Sequence, residues 1–196
     1  MLLGDYLPSQ QVSEIVQCYR IVHLKFDRSD DIPFKAYPPK PEQCLHFFLR
    51  DFFAIQKVSD AKEVQSSVVL AGQRTTLVNQ YTGRDFLDVQ IVFQPTAVFQ
   101  LTGIPAYELA NQHVDAIHIL SKNLRVVLEK LQSAVDYTDL LHTIESFSKM
   151  LVCQLRKSSI PLDSVSKQMK LNNANCSIEK LAEQSCLCLK QFERQF

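Results

Sequence analysis

The sequence has few of the features that mark the common enzyme and metal-binding classes. Only four glycines occur among the 196 residues, which argues against a glycine-rich loop that cradles phosphate. The six cysteines form no C-x-x-C pair, so a zinc ribbon or a thioredoxin-like site has no support. The sequence also contains no nucleophile elbow and no H-E-x-x-H motif. We therefore expect no enzymatic activity, no bound metal and no cofactor.

The charge and the hydropathy of the sequence argue against further classes of protein. The 21 basic and 21 acidic side chains cancel to a net charge of zero, whereas proteins that bind DNA draw much of their affinity from positive charge. Any contact with DNA must therefore be local. The sequence has no apolar run of about 18 residues and no basic N-terminal segment followed by a small-residue cleavage site. Cysteines that stay reduced are typical of the cytoplasm. We therefore predict a cytoplasmic protein with no membrane partner.

The N-terminal half has the composition of β-strands. Residues 12–26 are rich in β-branched and apolar side chains, and residues 86–93 carry apolar side chains on both faces, which is typical of a strand inside a barrel or sandwich. The prolines at 33–41 indicate a loop or an edge strand. Arg50-Asp51 interrupts an apolar run and predicts a hairpin turn.

After Pro105, the apolar residues recur at intervals of three or four positions. Apolar positions from Val114 to Leu131 predict one amphipathic helix, and those after Thr138 predict a second. The short connection between them favours antiparallel packing, and Ile160-Pro161 is suited to begin a third helix. The two long apolar stripes either belong to the core or form a dimer face. We expect a homodimer built largely on the helices at 113–155.

The last twenty residues carry the most specific pattern. Ser177 is suited to cap a helix that begins at Ile178, and Glu179 is favourable in its first turn. A short break at 185–188 leads to a second helix with Phe192 and Phe196 on one side. Helix, tight turn and helix is the arrangement that places a second helix in the major groove of DNA.

This stretch resembles the first helix-turn-helix of the AraC-type bacterial transcription regulators. The resemblance rests on S-I-E-K-L-A at 177–182, Cys188 at the turn and Q-F-E-R-Q-F at 191–196. It implies that Lys190, Glu193 and Arg194 project toward promoter DNA. The family usually has serine where Cys188 stands, and a thiol caps a helix less well. Since the family's DNA-binding unit contains two such motifs, the resemblance implies a regulator cut off inside the first, with promoter DNA a partner of the complete protein only.

Residues 8–155 are more loosely similar to the domain often found upstream of that unit. The landmarks are Ile32-Pro33, L-A-G-Q-R-T at 70–75, F-Q-P at 93–95 and L-T-G-I-P-A-Y-E-L at 101–109. We predict an α+β protein: a β-barrel-like sensor and dimerisation domain with an antiparallel helical pair at 1–157, followed at 158–196 by a linker helix and the start of a helix-turn-helix.

One candidate ligand site lies in the β-rich half. This half has many aromatic side chains, namely Phe47, Phe48, Phe52, Phe53, Phe86 and Phe93. Small barrels either fill their interior with such rings or leave room for one ligand. His46, Arg50 and Gln90 lie on the same segments and are candidates to orient a small-molecule effector. Two alternatives remain: a filled barrel that only supports a dimer, and a barrel-shaped small-molecule-binding protein or enzyme with an unrelated helical tail.

The five histidines raise the question of a metal site. Cys44 and His46 share one strand face, but a metal-binding cupin would need a closely spaced His-x-His pair followed by a glutamate, which is absent. His113 and His118 are five apart, which is the wrong spacing for two ligands one helical turn apart. We expect both of these histidines at the solvated surface.

Overall fold

Strands dominate the N-terminal half, as the sequence pattern predicts. The computed structural model describes residues 2–57, 60–120, 123–155, 165 and 177–195. Within them the strands are β1 (Leu2–Tyr6), β2 (Val16–Lys25), β3 (Lys35–Tyr37), β4 (Cys44–Phe48), β5 (Phe53–Lys57), β6 (Glu63–Val64), β7 (Val68–Ala71), β8 (Val78–Thr82), β9 (Asp85–Phe93) and β10 (His113–Asp115). The predicted turn at Arg50-Asp51 joins β4 to β5, and the proline-rich segment contains the edge strand β3.

The strands form two antiparallel sheets rather than a closed barrel. Over the described residues, the six-stranded sheet has the order β1-β2-β9-β4-β7-β10 and the four-stranded sheet has the order β3-β8-β5-β6. The α+β class is confirmed, while the barrel is replaced by two open sheets. The edge strands β3 and β10 have only three residues each, so they offer few backbone groups with which to close a barrel.

Aromatic side chains hold the two sheets together where the chain crosses between them. The Phe48 ring stacks on the Phe53 ring with a centroid distance of 4.6 Å, and Phe86 lies 5.9 Å from each. Since β4 and β9 belong to one sheet and β5 to the other, this stack fixes the spacing of the sheets at the β4–β5 turn. Offset aromatic contacts of this kind add to the stabilisation from buried apolar area.

The first predicted long helix begins later than expected. The helices after β9 are α1 (Ala97–Thr102), α2 (Ala106–Leu109), a 3-10 turn (Ala116–His118), α3 (Leu124–Gln132) and α4 (Tyr137–Cys153). The prediction of a helix from Val114 is wrong because residues 113–115 pair with β7 as strand β10. Hydrogen bonds between segments distant in the chain therefore override the local hydrophobic period. The second predicted helix is confirmed as α4.

Strand β9, in the middle of the six-stranded sheet, is buried on both faces. Leu87, Val89 and Ile91 of β9 pack in one core with the apolar stripe of α3 and α4, which comprises Leu124, Val127, Leu131, Leu140, Ile144, Phe147 and Leu151. The Phe147 ring meets the Phe47 ring edge to face at 6.3 Å. The stripe expected at a dimer face therefore packs against the sheet of its own chain. The homodimer stays a prediction, and it would have to use other side chains.

Two short helices follow at the C-terminal end, α5 (Ile178–Gln184) and α6 (Leu189–Gln195). The Ser177 hydroxyl accepts a hydrogen bond from the Lys180 backbone N–H at 3.3 Å, so the predicted cap is confirmed. Leu181, Ala182 and Phe192 are buried together with Val165. The predicted third helix at Ile160-Pro161 and the boundary at 157/158 lie outside the described residues. In the described ranges, no helix has both the length and the apolar character needed to span a bilayer.

Candidate ligand cavity between the two sheets

A cavity of about 330 Å³ lies between the two sheets, near the lower end of the range of roughly 300–1,000 Å³ found for small-molecule sites. One end is apolar and the other is charged. The apolar end is lined by Val22, Leu24, Phe53 and Phe86, and the charged end by Arg20, Lys40, Glu42, Arg74 and His113. Strand register explains this gradient, because Leu24 pairs with Phe86 while Arg20 pairs with Gln90 two steps along the same face.

The period of two along β9 supplies the polar centre of the cavity. Its odd-numbered side chains join the core under the helices, so Asp88 and Gln90 face the second sheet. His46 of β4 pairs with Gln90 across the ladder. The His46 Nδ1 atom lies 2.9 Å from Asp88 Oδ2, and Gln90 Nε2 donates to the same oxygen at 2.7 Å.

His46 is a cation in this environment. Burial acts to lower its pKa, but the adjacent Asp88 charge and its hydrogen bond outweigh burial and raise the pKa of His46 to about 10. Asp88 is 3% exposed, so the two side chains form a buried ion pair at neutral pH. Asp88 Oδ1 is buried without a hydrogen-bond partner among the described residues. Such pairs often stabilise a fold less than apolar side chains of similar size.

The charged end contains a network centred on Arg20. Its guanidinium binds the Asp5 carboxylate with Nε at 2.7 Å and Nη2 at 3.0 Å, and it binds Glu42 at 2.9 Å. Lys40 also reaches Glu42, at 2.8 Å. Burial opposes ionisation of Glu42, but the bonds to Arg20 and Lys40 prevail and lower its pKa. The charges of these four side chains therefore balance one another.

Arg74 stands beside this network and stacks on an aromatic ring. Its guanidinium carbon lies 4.6 Å from the centroid of the Tyr37 ring, a cation–π contact. Its backbone forms a bridge with Lys40 through hydrogen bonds of 3.0 and 2.9 Å. Burial lowers the pKa of Arg74, which reflects the cost of removing this cation from water.

His113 lines the cavity as a neutral side chain. Burial, and then the positive charges of His46 and Arg74, lower its pKa to about 4. The expectation that His113 lies at the solvated surface is wrong, because the pairing of β10 with β7 places it beside Ala71 in the cavity wall. His118, in contrast, is exposed.

Of the predicted ligand residues, His46 and Gln90 line the cavity and meet at Asp88. Arg50 is not among the described residues that line it. The Arg50 guanidinium is instead held 2.7 Å from Asp85, and Asp85 lies on the face of β9 opposite to Asp88. This ion pair explains why Arg50 points away from the cavity.

The residues predicted to face DNA belong to the C-terminal helix. Lys190 is exposed, and Glu193 and Arg194 lie further along α6. These positions belong to a segment separate in sequence from the strands that line the cavity, and nothing in the structure tests their contact with DNA.

Sequence reasoning missed most of the polar cavity residues, among them Asp88, Arg74, Tyr37 and His113. The alternation of Asp88 and Gln90 with apolar neighbours in β9 was a usable signal, since a carboxylate on an otherwise apolar strand must find a partner. Arg74 and Tyr37 meet only through the packing of loops and edge strands, and no local pattern reveals that contact. Among the described residues, no group of three or more His, Cys, Asp and Glu side chains is placed to hold a metal ion.

The fold and site define a class of protein: two antiparallel sheets that enclose a cavity, covered on one side by helices. A sequence profile described as "Domain of unknown function (DUF6597)" matches residues 5–115, more than half of the chain. The protein therefore belongs to the DUF6597 family. The match covers the strands from β2 to β10 and hence most of the strands that line the cavity, while Leu3 of β1 precedes the matched residues. No curated protein shows a significant match to the sequence.

Two solved structures are distantly similar to this protein. The AraC-like transcriptional activator CuxR has 8% sequence identity and a TM-score of 0.40, with 96% of this chain and 71% of that chain covered. Streptomyces albus HEPD with 2-hydroxyethylphosphonate and Fe(II) bound has 12% identity and a TM-score of 0.34, with 97% of this chain and 42% of that chain covered. At such scores neither likeness bears on the fold or the function of this protein.

Proposed function

We propose that the chain is the effector-sensing part of a transcription regulator, with residues 177–195 as part of its DNA-binding unit. The observation that carries the proposal is the pair α5 and α6. Ser177 caps the first helix, and Leu181, Ala182 and Phe192 are buried between the two. The same residues resemble the first helix-turn-helix of AraC-type regulators, in which the second helix reads bases.

The turn between α5 and α6 supports this proposal further. Cys186 adopts a left-handed conformation with a φ of 54°, which lets the chain reverse within the four residues 185–188. The Leu187 backbone N–H bonds the Ala182 carbonyl at 3.1 Å, so the turn closes directly onto the end of α5. A tight and hydrogen-bonded turn is what holds two helices at a fixed angle in a helix-turn-helix.

The sensing role rests on the cavity. It combines an apolar end with a few polar groups that converge on it, which is the usual make-up of a small-molecule site. A ligand that binds one arrangement of the two sheets more tightly than another would shift the population toward that arrangement. In this proposal residues 1–157 hold the ligand and residues 158–196 link it to DNA.

We infer that the cavity binds its ligand without transforming it. Against the effect of burial, Asp88 raises the pKa of the central His46 imidazole, so His46 is a poor general base at neutral pH. His113 is neutral, but burial lowers its pKa to about 4, which makes it a weak base. Asp88 itself accepts from both His46 and Gln90. Mass spectrometry of a bound ligand after prolonged incubation should therefore return it unchanged, and stoichiometric or catalytic conversion would contradict this inference.

DNA binding is tested by sequence selection from random duplexes with the protein encoded by the complete reading frame. The Arg194→Ala variant should bind the selected site more weakly by roughly 1–3 kcal/mol, because a lost bidentate base contact costs about that much. Arg125→Ala is the matched control, since Arg125 is an exposed arginine on α3 and its removal changes the net charge equally. Failure to select any sequence would refute the proposed function, and equal losses in both variants would remove Arg194 from the interface.

A further inference from the structure

Among the described residues, the charges around the cavity leave two cations without an ion-pair partner, the partly buried Arg74 and the exposed Lys35. Asp5 and Glu42 are engaged by Arg20 and Lys40, and Asp88 is engaged by His46. Among the residues that the structure describes, no carboxylate lies within ion-pair distance of Arg74. Its described side-chain contact is the face of Tyr37. A partly buried cation without an anion is unfavourable for folding alone, so Arg74 calls for a functional explanation.

The position of Arg74 is fixed before any ligand arrives. Two backbone hydrogen bonds tie it to Lys40, and the Tyr37 ring supports the guanidinium plane. Lys35 lies 5.3 Å from the same ring and adds a second positive charge to the lining of the cavity. A guanidinium held in this way can present two parallel N–H donors to a carboxylate at little further entropic cost.

A second observation points to an excess of positive charge at this end. His113, which faces the same space, is kept neutral partly by the charges of His46 and Arg74. An anion bound between these groups would oppose that effect. The other end, with Leu24 and Phe86, offers apolar side chains and no charge. The cavity is thus complementary to a molecule that is anionic at one end and apolar at the other.

We propose that the ligand is a small organic carboxylate, with its carboxylate bound by Arg74 and its apolar part lying toward Leu24 and Phe86. This inference rests on the proposed role of the cavity as an effector site, and it names the chemical class of the effector. His113 lies across from the carboxylate as a neutral hydrogen-bonding group, while Lys35 contributes longer-range attraction.

The test compares acids with their own neutral amides. The probes are 3-phenylpropionate, octanoate and indole-3-acetate, each paired with its primary amide, in thermal-shift and calorimetric titrations of the full chain. We expect at least one acid to bind about tenfold or more tightly than its amide, since hydrogen bonds between charged groups exceed neutral ones by about that factor. On binding, the pKa of His113 should rise, as followed by NMR of its ring protons.

Variants assign the effect to Arg74. Arg74→Gln should lower the affinity for the acid to that of the amide and leave the amide unchanged, while Arg125→Gln on α3 should alter neither. Because Arg74 has no acidic partner, the melting temperature of the free Arg74→Gln protein should equal or exceed that of the wild type. Should that variant fail to fold, Arg74→Lys retains the charge without the planar fork and should bind the acid with intermediate affinity.

The inference is wrong if the amides bind as tightly as the acids, if no acid binds, or if Arg74→Gln leaves the affinity for the acid intact. If the amides bind tightly, the cavity can still be an effector site, but its ligand belongs to a different chemical class. A failed DNA selection, in contrast, would refute the proposed regulator function. It would not affect the measured ratio of the affinities for the acid and its amide. The two failures are therefore distinguishable.

Discussion

Replacement of Phe147 by alanine tests whether the apolar stripe of α3 and α4 is core or interface. Phe147 is 2% exposed and packs edge to face on Phe47 of the sheet. Truncation of a buried phenylalanine costs about 3–5 kcal/mol through lost apolar burial and the remaining cavity. That is a large part of a total stability of about 5–15 kcal/mol.

Urea denaturation of the purified chain measures this loss directly. With an m-value of about 2 kcal/mol/M, the midpoint should fall by about 1.5–2.5 M. Met150→Ala is the control, since Met150 lies on the same helix but is 41% exposed, and its truncation should change stability by about 0.5 kcal/mol. The loss in Phe147→Ala should not depend on protein concentration, because both contact partners belong to one chain.

Two outcomes would refute this reasoning. One is a loss in Phe147→Ala no larger than in Met150→Ala, which would mean that α4 does not pack on the sheet. The other is a midpoint that rises with protein concentration in the wild type and not in the variant, since subunit association is the usual source of such dependence. The second outcome would return the stripe to the dimer face that the sequence pattern first suggested.

Two further substitutions test the cavity walls. In Asp88→Asn, burial acts on His46 without the Asp88 charge that opposes it most strongly, so NMR should show the pKa of His46 falling well below about 10. In the wild type, the contribution of the His46–Asp88 pair to the free energy of unfolding is complete below about pH 6.5 and declines as the pH rises toward 10. Denaturation measured over this pH range should show no such decline in Asp88→Asn. Gly72→Ala would place a Cβ 1.8 Å from a backbone carbonyl oxygen of α2, and should destabilise by about 1–3 kcal/mol. In the control Gly4→Ala, the nearest atom is the Tyr6 hydroxyl at 3.0 Å, and a stability loss as large as in Gly72→Ala would contradict the packing argument.

Local patterns predicted those parts of the fold that local forces decide. The turn at Arg50-Asp51, the Ser177 cap and the apolar stripe of α4 follow from turn chemistry, capping and period, and the structure contains all three. The start of the first long helix and the pairing of residues 113–115 depend on where β7 lies. No pattern within a short window carries that information, so the helix was predicted too early and His113 was misplaced.

The candidate site shows the same division. His46 and Gln90 could be selected as polar side chains on apolar strands, and the structure brings them together at Asp88. Arg50 is also a polar side chain in the same apolar segment, but it lies in the turn between β4 and β5 and is held by Asp85. Polar side chains in an apolar segment therefore identify candidate ligand residues. Which face of the sheet such a side chain reaches depends on whether its partner occupies an odd or an even position of the neighbouring strand.

The polar centre of the cavity is better explained by ligand binding than by folding. The ion pair between His46 and Asp88 occupies positions whose cross-strand neighbours include the apolar Val69, Phe48 and Val22, and an apolar pair of similar size would fit the same sheet at no cost in desolvation. Arg74 adds a cation that no described carboxylate balances. Where side chains depart from the pattern that serves the core, the cost is usually met by function. Both departures line one cavity, so a single ligand that engages the charged end would account for the two together.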